Sequence, residues 1–318
     1  MAARRGLTGG PYALTILMSA FLIFQVQPLI SKYILPWFGG TPGVWTTCML
    51  FFQLVLFAGY AYAHASIRWL TPRWQAIVHA GLLVVALTSL PITPDASWKP
   101  TGGELPTGRI LGLLAATVGL PYFLLSATGP LLQGWFSRGR PGTAVYRLYA
   151  LSNIGSVLGL VTYPFLFEPW MATESQAAVW SLGFVAFAVC CGLCALDLSW
   201  KNEEVSEAPL TEGSCKAANG EVDLSWSTRL AWFGLSACAS VMLLATTNQV
   251  CLDVAVIPFL WVLPLTLYLA SFILCFDRAW WYPRRTYAIA LVGTLVCLAQ
   301  LMRAASDVPI ITQITVHF

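Results

Sequence analysis

Charged residues punctuate this chain so sparsely that its apolar positions run together in nine long stretches. These extend from Gly6 to Ser31, Tyr33 to Ile67, Trp74 to Pro94, Ile110 to Ser137, Leu148 to Phe167, Ser175 to Leu196, Leu230 to Leu252, Val254 to Phe276 and Thr286 to Met302. A hydrocarbon core of about 30 Å is crossed by about 20 apolar helical residues. Within it only segments that satisfy every backbone group internally are stable. Eight runs therefore predict one crossing each, and the Tyr33–Ile67 run is long enough for a hairpin or a kinked span. The pattern predicts an all-α, polytopic membrane protein of about nine transmembrane helices.

Composition supports this reading: 58% of residues are hydrophobic and 10% charged, against about 25% charged in an ordinary soluble domain. The formal charge of +3 is small, and Lys and Arg are scattered over loops, so no nucleic-acid partner is expected. Arg4 and Arg5 before an apolar run imitate a signal peptide. The run is long and no small-residue cleavage site follows, so a retained first helix is expected. With a cytoplasmic N-terminus and nine crossings, 13 basic residues fall in inside segments. Only Lys32, Lys99, Arg109 and Arg303 fall outside, the asymmetry of positive-inside topology.

Three domains follow: a six-helix membrane bundle over 1–196, an acidic cytoplasmic linker over 197–229, and a second membrane bundle over 230–318. The linker carries seven of the fourteen acidic residues, and its low hydrophobicity predicts a flexible loop. A faint repeat runs through the first bundle. Phe21-Leu22-Ile23 followed by Pro28-Leu29-Ile30 reappears as Phe123-Leu124-Leu125 followed by Pro130-Leu131-Leu132. Pro42-Gly43 and Pro141-Gly142 open the next helix in each copy. An odd three-helix unit places such copies in inverted topology, as in major-facilitator-type transporters.

The polar residues inside the spans are amides. Gln25 and Gln27 precede Pro28, beside a carbonyl that proline leaves free. Asn153 lies among Ser152, Gly155, Ser156 and Gly159, whose small side chains permit close helix contact. Asn248, Gln249 and Asp253 end the seventh run. These six residues are the candidate lining of a substrate path. No ionised residue falls well inside a predicted span, which disfavours a proton-driven pump. Glu168, Glu174 and Asp253 near Trp170 and Trp180 offer an alternative, a rim that captures an organic cation.

No catalytic residue, cofactor or metal site is predicted. A Gly-rich nucleotide loop, a G-x-S-x-G elbow and an H-E-x-x-H helix are all missing from the sequence,. Cys191 and Cys194 have C-x-x-C spacing but lack a second ligand pair. His64, His79 and His317 are scattered,. Most of the nine cysteines lie in apolar runs, where a thiol packs as a small hydrophobe.

Three segments resemble one bacterial family. They are Phe24-Gln25-Val26-Gln27-Pro28-Leu29-Ile30-Ser31-Lys32-Tyr33-Ile34-Leu35-Pro36-Trp37-Phe38-Gly39-Gly40, Tyr146-Arg147-Leu148-Tyr149-Ala150-Leu151-Ser152-Asn153-Ile154-Gly155-Ser156, and Ala245-Thr246-Thr247-Asn248-Gln249 with its continuation Ile257-Pro258-Phe259-Leu260-Trp261-Val262-Leu263-Pro264-Leu265. They look like the membrane half of the fused transmembrane spermidine-synthase-like proteins, whose helices resemble the major facilitator fold. The resemblance implies a multi-pass protein of the bacterial inner membrane. It would anchor a cytosolic domain similar to polyamine aminopropyltransferases and move a polyamine or related metabolite. The expected partners are the lipid bilayer and a polyamine or other small organic cation. None of the enzyme motifs lies in this chain, which reads as a fragment whose second bundle is incomplete at its C-terminus. The alternatives are a permease for an unrelated small solute and a pure membrane scaffold.

Overall fold

A computed structural model describes residues 9–39, 42–100, 106–139, 146–206, 225–253, 258–277 and 283–303, and none of these is in a strand. The chain divides into two compact units, Met1–Glu207 and Ala208–Phe318.

In the first unit, α1 (Gly9–Ile34) passes through Pro28 and ends in a 3-10 turn at Leu35–Trp37. Gly39, at φ 87°, takes the left-handed conformation that reverses the chain there,. α2 (Pro42–Trp69) and α3 (Pro72–Leu87) follow, then a short turn at Ala96–Trp98. α4 (Pro106–Leu114) runs through a π turn at Ala115–Gly119 into α5 (Leu120–Gly139). α6 (Tyr146–Thr162) runs through a second π turn at Tyr163–Phe167 into the single turn α7 (Glu168–Trp170), and α8 (Thr173–Ser206) completes the unit. Pro121 borders the first π turn and Pro164 lies in the second. Each lacks an N–H for the ladder, and local widening of the helix absorbs the gap.

Among the described residues, six helical segments are long and apolar enough to cross a membrane: Gly9–Trp37, Thr46–Trp69, Pro106–Arg138, Arg147–Trp170, Thr173–Leu198 and Trp226–Ala245. Three other apolar runs form shorter helices, Pro72–Leu87, Pro264–Cys275 and Arg285–Cys297. The long Tyr33–Ile67 run is no hairpin. Its first residues finish α1 beyond Lys32 and the remainder is one helix, because the Gly39 turn uses up the surplus length.

Lipid is as apolar as leucine, so helices associate by close packing and interhelical hydrogen bonds rather than by hydrophobic exclusion. Two glycine seams show this. A Cβ on Gly155 would lie 2.5 Å from the Leu17 carbonyl oxygen, and one on Gly159 would lie 2.5 Å from that of Phe21. Only glycine lets α6 approach α1 so closely. On α2, a Cβ on Gly59 would lie 2.9 Å from the Phe123 carbonyl oxygen and would collide with the Ser126 hydroxyl of α5. α1 is thus central, packed on α5, α6 and α8, while α2 packs on α5 and α3 packs on α8 and α5. Trp135, Tyr122, Phe184 and Phe187 fill the space between them, each essentially sealed from solvent.

The expected linker is shorter than its composition indicates. α8 carries on past Leu196 to Ser206, and α9 (Trp226–Asp253) begins before Leu230. Lys and Glu are good helix formers, so a polar composition does not by itself end a helix that the membrane has started. Residues 207–224 lie outside the described residues. In the second unit α9 packs on α10 (Pro258–Asp277), followed by α11 (Arg284–Arg303).

Candidate functional site

α1 brings Gln25 and Gln27 to one level of the bundle but aims them apart, as two residues of helix separation must. Buried Gln25 donates from Nε2 to the Gly159 carbonyl oxygen (3.0 Å) and to Thr162 Oγ1 (2.9 Å), tying α1 to α6. Gln27 Nε2 donates to Tyr122 Oη on α5 at 2.9 Å. Asn153 turns back on its own helix, donating from Nδ2 to the Tyr149 carbonyl oxygen at 3.1 Å. Asn248, Gln249 and Asp253 belong to α9 in the second unit, and their side chains lie outside the described residues.

A second polar cluster forms where α2, α3, α5 and α8 meet. His79 is fully buried, its ring stacked on Tyr62 (centroids 6.1 Å apart) and edge-on to Trp135 (6.2 Å). Trp135 Nε1 donates to Gln75 Oε1 at 2.9 Å, and Gln75 Nε2 donates to the Leu70 carbonyl oxygen at 2.8 Å. Nearby, the buried Cys191 thiol of α8 meets the Thr128 hydroxyl of α5, which donates to the Leu124 carbonyl oxygen at 2.6 Å. Both ring nitrogens of His79 are buried without a hydrogen-bond partner, while the Tyr62 and Ser66 hydroxyls, one turn apart on α2, lie within reach of each other. Each unsatisfied group costs about 1–3 kcal/mol, so the cluster is expensive as pure packing. In the sequence His79 stands apart from the other histidines, and hydropathy does not mark the cluster. The available signal was spacing: Gln75 with His79, and Tyr62 with Ser66, are i, i+4 pairs in apolar helices.

The ends of α1 carry its contacts with acidic side chains. At one end, Tyr12 Oη donates to Asp197 Oδ2 at 3.1 Å, and Asp197 is buried in α8 rather than opening a loop. At the other end, Lys32 Nζ meets Glu168 Oε1 at 2.8 Å. The expected cation-capturing rim is therefore partly spent. Glu168 already holds Lys32, and Trp180 is buried with its Nε1 donating to the Leu22 carbonyl oxygen at 2.9 Å. In the loop after α3, Lys99 lies 5.3 Å above the Trp37 ring, and Arg109 donates to the carbonyl oxygens of Ser97 and Trp98. Asp95 accepts from the Ser97 N–H at 2.9 Å, which holds its carboxyl below the ordinary 3.8.

Among the described residues no three His, Cys, Asp or Glu side chains come together as metal ligands. What the bundle offers is an uncharged cluster rich in hydrogen-bonding capacity, flanked at one end of α1 by a buried acid. Comparisons with family models, with curated proteins and with solved structures returned no match to this chain.

Proposed function

We propose that the first unit is a major-facilitator-like pair of inverted three-helix repeats that passes a small polar solute across the bacterial inner membrane. The observation that carries this reading is the His79 cluster. A scaffold needs only apolar packing, and Leu or Phe at these positions would hold it more cheaply. A path needs polar groups left unpaired until a solute supplies the partners, and the two ring nitrogens of His79 are such groups.

The repeat gains support from the two glycine seams. Gly159 approaches α1 at Phe21 and Phe24, and Gly59 approaches α5 at Phe123 and Ser126. The two acceptor sites stand at equivalent places in the repeated Phe-Leu triplets. Exchanging α1 with the α4–α5 helix, and α2 with α6, maps one seam onto the other. The three shorter apolar helices complete nine crossings. α3 with its 16 residues covers about 24 Å,, and the turns up to Pro94 supply the remainder. With the N-terminus in the cytoplasm, Lys32, Lys99 and Arg109 face outward.

The family resemblance puts a polyamine, or a metabolite related to one, first among the solutes. The cluster itself is uncharged, so a polycation would depend on Asp197. Purified full chain in liposomes, loaded and assayed by counterflow with spermidine, putrescine and neutral polar solutes such as glycerol and urea, tests the proposal. Uptake that His79→Leu abolishes is the expected result. No uptake of any of these solutes, or uptake indifferent to His79→Leu, refutes it. The Gln25 and Gln27 hydrogen bonds favour a second reading, a rigid anchor for a cytosolic enzyme domain, because their amide donors bind α1 to its neighbours.

A further inference from the structure

We infer that the groove between α1, α6 and α8 holds one acyl chain of a membrane phospholipid with a primary-ammonium head group. The groove encloses about 320 Å³ and follows α1 from Leu17 to Leu29. At 1.5 Å per residue that is about 18 Å of length. That length is about one leaflet of a hydrocarbon core of about 30 Å, the reach of a single extended acyl chain. Met18, Leu22 and Phe167 make the walls apolar, while Leu158 and Val179, each 45% exposed, form lips that leave the groove open along its side.

Among the described residues of this lining, one fully buried side-chain polar atom has no partner. Gln25 and Trp180 use their N–H groups on the Gly159 and Leu22 carbonyl oxygens. Gln176, only 3% exposed, donates from Nε2 to the carbonyl oxygens of Phe167 (3.2 Å) and Met171 (2.8 Å), but its Oε1 has no partner. A ligand completing it must bring a donor. Gln176 sits at the end of the groove marked by the Lys32–Glu168 pair, where a lipid in the bilayer would place its head. Two residues before it stands Glu174, exposed in the first turn of α8. Two acids against one lysine favour an ammonium over an anionic head.

Native mass spectrometry of the full chain, taken from nanodiscs of equimolar phosphatidylethanolamine and phosphatidylglycerol, tests the inference. The expected wild-type spectrum shows one retained phosphatidylethanolamine. Val179→Trp, which plugs the groove from its lip, should reduce the retained fraction at least tenfold without lowering thermal stability. Gln176→Met should reduce the preference for phosphatidylethanolamine by about 2- to 10-fold, the worth of one hydrogen bond. Retention undiminished in Val179→Trp, no retained lipid in the wild type, or retention of phosphatidylglycerol in preference each overturns the assignment.

Discussion

Gly159→Ala isolates the contact on which the α1–α6 pairing depends. The added Cβ would stand 2.5 Å from the Phe21 carbonyl oxygen and 3.1 Å from Phe24 Cβ, where ordinary contact begins at 3.4 Å. Both atoms belong to a helix backbone or its first side-chain carbon, so neither can swing away. α6 must retreat by about 0.9 Å,. That retreat stretches the Gln25 bonds to the Gly159 carbonyl oxygen and Thr162 Oγ1, now 3.0 and 2.9 Å, past the hydrogen-bond range. Overpacking costs about 1–3 kcal/mol and two interhelical bonds about 0.6 kcal/mol each, for a total of roughly 2–4 kcal/mol. Reversible unfolding in lipid bicelles, followed by intrinsic tryptophan fluorescence, measures it. Gly192→Ala on α8, where a Cβ meets nothing within 4 Å, is the internal control and should be neutral or more stable by up to about 1 kcal/mol. Gln25→Leu added to Gly159→Ala should cost about 1 kcal/mol less than the separate effects summed, because the same bonds are lost once. Gly159→Ala no more damaging than Gly192→Ala, or strict additivity with Gln25→Leu, would refute the reasoning.

Gly59→Ala should destabilise to a similar extent in the same bicelle assay, since its Cβ meets the Phe123 carbonyl oxygen and Ser126 of α5. His79→Leu should raise stability in that assay by about 1–3 kcal/mol, because it removes two unpaired buried nitrogens,. A loss there would show that His79 has partners the fold needs. Trp135→Phe strips Gln75 Oε1 of its donor and should cost about 1–3 kcal/mol, recovered in part by Gln75→Leu in the double variant. Asp95 has its carboxyl held below 3.8 by the Ser97 N–H, so its contribution is present above that pH and lost as pH falls through the depressed value. Protection of the Ser97 amide from hydrogen exchange, relative to its intrinsic rate, should fall on acidification below 3.8 and be absent at neutral pH in Asp95→Ala,.

The value of His79 as a probe comes from comparing residues that looked alike in the sequence. Gln25, Gln27 and Asn153 drew notice as polar groups in apolar runs, yet their amide donors are engaged in packing. Gln25→Leu would therefore harm an anchor as much as a transporter and separates nothing. Gln75 and His79 sit in the same kind of run, and only one of them is satisfied. Spacing placed both on one face of α3. It did not tell which partners α5 and α2 would supply.

Membrane residence, helical class and the glycine seam on α6 follow from the sequence alone, because the bilayer demands long apolar helices and glycine is the residue that permits backbone contact. Breaks in charge marked nine runs, of which six hold helices long enough to cross a membrane among the described residues, and α8 ran past its predicted end through Asp197 into residues that favour helix,. Only the tertiary structure decided that Asp197 is buried on Tyr12, that Glu168 is spent on Lys32, and that Trp180 is a core residue rather than a rim aromatic. Each of these pairings joins residues more than a hundred positions apart, and hydropathy carries no record of which helix faces which. The unpaired nitrogens of His79 belong to the same class of fact: a missing hydrogen bond is a property of the neighbours, and the neighbours are set by packing.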